Sequence, residues 1–163
     1  AFRRICIPMT EEQATALVDG VGAPGRLAWD ARLETGVPTI DLQHRILFEL
    51  MQRIPSGDER GLSPDLRDLL LQLRSYADYH FRYEEDWIRV NASTARMAEG
   101  HQHLHAAFAQ RLDQLEADLV GGRLKSAALH DFLRRWLIDH IVRQDLPMIG
   151  ALRQRTEQIS ASR

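Results

Sequence analysis

Apolar side chains return every three or four positions from residue 40 to residue 148, the spacing of helices that each bury one face. Four such runs follow one another. The first, roughly 40 to 54, has its stripe at Ile40, His44, Leu47, Phe48, Met51 and Ile54. The second opens at Ser63-Pro64, an N-cap followed by a first-turn proline, and continues through Leu66, Leu69, Leu70, Leu73, Tyr76, Ala77, His80, Glu84, Trp87 and Ile88. The third, about 95 to 120, shows Met97, His101, Leu104, His105, Phe108, Leu112, Leu115 and Leu119 and stops at Gly121-Gly122. The fourth starts near Ser126 and shows Leu129, Phe132, Leu133, Trp136, Leu137, His140, Ile141, Asp145 and Met148. Short connections favour antiparallel neighbours, so the pattern predicts an all-α, up-down-up-down four-helix bundle. Ahead of it, Thr10-Glu11-Glu12-Gln13 is a capping-box pattern that predicts a short extra N-terminal helix to about Asp19, before the Gly-rich stretch 20 to 25. The chain thus divides into an N-terminal extension (1–26), a bundle (27–150) and a C-terminal tail (151–163).

Polar residues interrupt every stripe. His44 lies near the start of the first bundle helix, His80 and Glu84 near the end of the second, His101 and His105 near the start of the third, and His140 and Asp145 near the end of the fourth. In an antiparallel bundle those places are one end. A single histidine in an apolar stripe reads as a satisfied core residue. Seven polar groups at one depth need a common reason, because each costs roughly 1 to 3 kcal/mol if buried without a partner, and an unpaired carboxylate costs more. Five imidazoles and two carboxylates make a dinuclear metal site the economical reason.

Helix geometry sorts the histidines. Residues four apart lie about 6 Å from one another and differ by about 40° in direction, so His101 and His105 share a face, as do His80 and Glu84. His103 falls on the opposite side of the helix from His101, and His130 stands about 15 Å along the axis from His140, so both are expected at the surface or an edge. The five-residue step from His140 to Asp145 turns about 140° in a regular α-helix, too far for easy convergence. Pro147 removes a backbone donor and crowds the carbonyl of Arg143. Together these predict a widened turn or kink within 140–147 that swings Asp145 inward.

Composition narrows the function classes. With 23 acidic and 21 basic side chains in 163 residues, and no block of five like charges, the chain has no nucleic-acid footprint. No apolar run approaches the roughly 18 residues of a membrane span, so no membrane insertion is expected. The single cysteine, Cys6, has no partner in the chain and points to a reducing, cytoplasmic setting. The first residue is Ala1 rather than Met, consistent with processing or with a segment of something longer.

The combination of His, His-x-x-x-Glu, His-x-x-x-His and His-x-x-x-x-Asp in this order resembles the hemerythrin family, in particular bacteriohemerythrin-type domains. The resemblance begins at "AWD", with Trp29 and Gly36, and runs through "IDLQHRILF" (40–48), "HFRYEED" (80–86), "HQHLHAAF" (101–108) and "WLIDHIVRQD" (136–145). One departure is "VNASTARMAEG", between the second and third helices, which lacks the aromatic-proline turn common there.

The resemblance implies two iron ions (Fe2+/Fe3+) joined by an oxo or hydroxo bridge. His101, His105 and His140 would hold one ion, His44 and His80 the other, and Glu84 and Asp145 would bridge them. Two octahedral ions then keep one open position, suited to dioxygen. Leu47, Phe81, Trp136, Leu137 and Ile141 match the family's oxygen pocket. Gln43, Asp41 and Glu85 are candidates to orient the histidines. The resemblance implies reversible dioxygen binding for sensing, delivery or storage, and no enzyme. The alternatives are a di-iron enzyme acting on peroxide or nitric oxide, or an oxygen- or redox-responsive signalling module that reports to a partner or fused domain through the N-terminal extension. Zinc and manganese also suit such ligands.

Overall fold

The computed structural model describes residues 29–55, 63–92 and 95–161. The helix expected at about 10 to 19, and with it the N-terminal extension, lies outside them. The described residues form helix α1 (Pro38–Gln52), α2 (Pro64–Asn91), α3 (Ala95–Val120), α4 (Ser126–His140), a π-helical turn (Ile141–Asp145) and α5 (Leu146–Ala161). These elements make an all-α antiparallel bundle, as the periodicity requires. The Ser63 hydroxyl accepts from the Leu66 N–H at the start of α2, and Gly122 takes a positive φ of 66° past the end of α3. There the Arg123 N–H returns to the Asp118 carbonyl at 2.8 Å.

The half of the bundle away from the histidines is hydrocarbon. Leu66, Leu69, Leu70 and Leu73 from the start of α2 meet Leu112, Leu115 and Leu119 from the end of α3, with Met51, Ile54, Leu129 and Leu133 completing the layers. Each such side chain contributes roughly 2 kcal/mol on burial. That half stabilises a second half in which seven polar groups are buried.

The widened turn is present. Five residues, Ile141–Asp145, form the π-helix, and the extra residue brings Asp145 round to full burial. The same extra residue displaces the apolar line beyond it. The stripe passes through Ile149 and Leu152, both buried, where the uninterrupted period named Met148, which is half-buried.

Residues 151–161, read from the sequence as part of a tail, are helical. Buried Leu152 packs there, and the Arg153 guanidinium donates to the Thr35 carbonyl at 3.0 Å. That contact requires glycine at 36, whose φ is +78° and whose missing Cβ would overlap the guanidinium. The loop is fixed from the other side by Asp41. Its carboxylate accepts from the Thr35 N–H and hydroxyl, each at 2.7 Å, and from the Gly36 N–H at 3.1 Å. Asp41 therefore orients the entry to α1 and no histidine.

Candidate metal centre

His44, His80, Glu84, His101, His105, His140 and Asp145 come from four helices and the π-turn to one level of the bundle, each at most 5% exposed. Their donor atoms fall into two groups, Glu84 with His101, His105 and His140, and Glu84 with His44 and His80. Glu84 is common to both. Its Oε2 lies 3.1 Å from His101 Nε2, 3.5 Å from His105 Nε2 and 3.7 Å from His80 Nε2. Asp145 also reaches both sides, with Oδ1 at 3.2 Å from His140 Nε2 and 3.3 Å from His101 Nε2, and Oδ2 at 3.4 Å from His44 Nε2.

The rings are held from behind. Gln43 Oε1 accepts from His80 Nδ1 at 3.0 Å, and Glu85 Oε1 accepts from His105 Nδ1 at 2.8 Å. A proton placed on each Nδ1 leaves Nε2 as a bare lone pair facing inward. Phe81 stacks on His105 at 3.9 Å, and Trp136 stacks on His140 at 4.5 Å. His103 is exposed, and the His130 ring stands apart at 14% exposure, 3.6 Å from Asp131.

Burial dominates the electrostatics. It holds His44 and His140 down to about 4, with Glu84 pulling each back up. Burial, then the neighbouring His44, puts His80 well below its ordinary value. Asp145 is pushed well above the carboxylate range by burial and then by the Glu84 charge. Burial acts the same way on Glu84, but His101 and His105 within hydrogen-bonding reach, then His80 and His44, bring it well below that range.

Several atoms of the site lack hydrogen-bond partners. Both ring nitrogens of His44, His101 Nδ1, Glu84 Oε1 and both Asp145 oxygens are buried and unsatisfied. The His105 and His140 Nε2 atoms stand 3.0 Å apart. Lone pairs aimed at one another in a buried space fit cations among them, and the imidazole–carboxylate set suits transition metals.

A pH dependence follows for the metal-free chain. Below the ordinary histidine value of about 6.5, the depressed histidines 44, 80 and 140 take up protons on unfolding, while raised Asp145 releases one. Three uptakes outweigh one release, so the unfolded state binds more protons and the metal-free fold loses stability as pH falls below the ordinary histidine value. Urea midpoints of chelated protein at pH 7 and pH 5 measure this, and equal midpoints would contradict it.

An apolar cavity of about 20 Å³ adjoins the His105 and His140 rings through Phe81 and Trp136. Of the five residues named above for an oxygen pocket, Leu47, Phe81, Trp136 and Leu137 line this cavity. Ile141 does not, although it is fully buried in the core. Met51, Leu73, Ala77, Phe108 and Leu133 complete the wall. Their signal was available, since Ala77 and Phe108 stand one turn from Phe81 and His105 on the same stripes.

A family model described as "Hemerythrin HHE cation binding domain" matches residues 35–152. The chain is similar to the protein named "Bacteriohemerythrin" of Pseudomonas aeruginosa, 23% identical over 133 residues that cover 82% of this chain and 86% of that one. It is similar to the "Hemerythrin-like protein" of Naegleria gruberi, 28% identical over 79% of this chain and 96% of that one. The "Bacteriohemerythrin" of Clostridium acetobutylicum is 27% identical over 72% and 94%. No solved structure matches significantly.

Proposed function

The chain belongs to the hemerythrin family, and from that premise we propose that it binds dioxygen reversibly at a pair of iron ions, for sensing, delivery or storage. His101, His105 and His140 would hold one ion and His44 and His80 the other, with the Glu84 and Asp145 carboxylates in reach of both. The observation that carries this reading is Glu84, which among the described residues belongs to both groups of donors. When bound, such a pair supplies the two electrons with which dioxygen is captured and released.

The chain's own residues set the conditions. Five neutral imidazoles against two carboxylates leave little anionic charge to stabilise high-valent metal, which favours binding over oxidation. Gln43 and Glu85 fix the tautomers of His80 and His105. The hydrocarbon wall of Leu47, Phe81, Trp136 and Leu137 keeps water and its protons from the ligand. The relatives named above carry hemerythrin names, and none of those names denotes an enzyme. Among the described residues no helix is long and apolar enough to cross a membrane.

Metal analysis with an absorption spectrum tests the reading. About two irons per chain, near-ultraviolet bands of a bridged ferric pair, and a visible change that reverses between dioxygen and argon are expected. A chain loaded with one ion, or one that turns over peroxide above free-iron controls, refutes it.

A further inference from the structure

A second, larger cavity of about 320 Å³ lies along the seam between α2 and α3. It and the 20 Å³ inner cavity share three wall residues, Ala77, Phe81 and Phe108. Resting on the dioxygen-binding reading above, we propose that this groove is the entry for the uncharged diatomic ligand. Ala77, Phe81 and Phe108 form the neck between groove and inner cavity.

The seam is open where small residues face each other across it. Ser75, Ala77 and Ala109 line it, and none reaches far enough to fill the gap between two helices. Arg74 braces the groove, its guanidinium held on α3 by Asp113 at 2.5 Å and Glu116 at 2.9 Å. At the neck the two rings stand 5.7 Å apart and nearly perpendicular. Each is fixed by another ring, Phe81 by His105 and Phe108 by Trp136, both at 3.9 Å. Ala77 is therefore the small side of the neck, and brief ring motions suffice to pass two atoms. Arg74, Ser75 and Asp78 make the outer groove partly polar, but at the neck of Ala77, Phe81 and Phe108 an anion would shed its water against hydrocarbon, whereas a neutral diatomic pays little.

Ala109 and Ser75 are exposed on the groove rim, so Ala109→Trp fills the groove without touching the core. Ala77→Val narrows the neck itself. Val120, 62% exposed and not among the groove residues, provides the control Val120→Trp. In iron-loaded protein, stopped-flow rates of dioxygen association and release should both fall about tenfold in Ala109→Trp, a barrier rise of about 1.4 kcal/mol. Affinity and spectrum should stay unchanged, because a blocked path alters neither end state. Rates equal to those of Val120→Trp overturn the route, as does a changed affinity at an unchanged association rate.

A second readout needs no iron. Crystals of metal-free protein under krypton pressure should show the gas in both cavities, and the groove site should vanish in Ala109→Trp. Krypton reaching the inner cavity with the groove empty, or failing to occupy either, overturns the route. That result stands whether or not the loaded protein takes up dioxygen, so failure of the functional reading and failure of the route are told apart. If Ala77→Val does not fold, Ala109→Trp decides alone.

Discussion

Glu84→Ala is expected to lower metal affinity at least 100-fold and to leave fewer than one iron per chain, with the near-ultraviolet bands lost. Removing a group that only orients a ligand already costs roughly 10 to 100-fold. Glu84 does more, since it touches His80, His101 and His105 from both donor groups. Iron content and absorption after growth in iron-replete medium provide the measurement. Glu84→Asp, one methylene shorter, should recover part of the loading, and Glu116→Ala, at the far end of the bundle, should lose none. Two irons retained in Glu84→Ala would end the bridging assignment.

Chelation should lower the melting temperature on the order of 10 °C while leaving the helical circular-dichroism signal at room temperature. A metal present at a thousand times its dissociation constant stabilises the folded state by about 4 kcal/mol, and in a chain of this size each kcal/mol moves the midpoint by roughly 2 to 4 °C. The fold should survive because the Leu66 to Leu73 and Leu112 to Leu119 layers lie in the other half of the bundle. What chelation exposes is the cost of the unsatisfied atoms of His44, His101, Glu84 and Asp145. An unchanged midpoint would mean that no cation was holding them.

Much of this was legible in one dimension. The 3.6-residue period gave the helices, and polar residues on each stripe gave the depth at which they meet. Even an irregularity within 140–147, a widened turn or a kink, was visible, because a five-residue step to Asp145 and a proline at 147 are incompatible with a straight helix that brings Asp145 inward. What was not legible depended on contacts across the fold. Asp41 sits two residues from Gln43, and only the return of the chain at Thr35 and Gly36 decides that it serves a loop. Residues 151–161 show a weak stripe, so nothing local foretold that Leu152 and Arg153 would dock. The groove is harder still. Ser75, Ala77 and Ala109 are unremarkable until two helices are set side by side, because a gap is a property of the pair.

The turn at Ile141–Asp145 acts like a dislocation in a crystal row: it adds a residue to the chain without adding length to the rod. Everything past it is rotated by one position's worth of phase, about 100°. The last helix is thereby indexed to the defect as well as to the core: the slip sets the phase in which Leu152 is buried and Arg153 meets the first loop. A mutation that annealed the slip would disturb both places at once, Asp145 in the interior and the clasp between the two ends of the bundle.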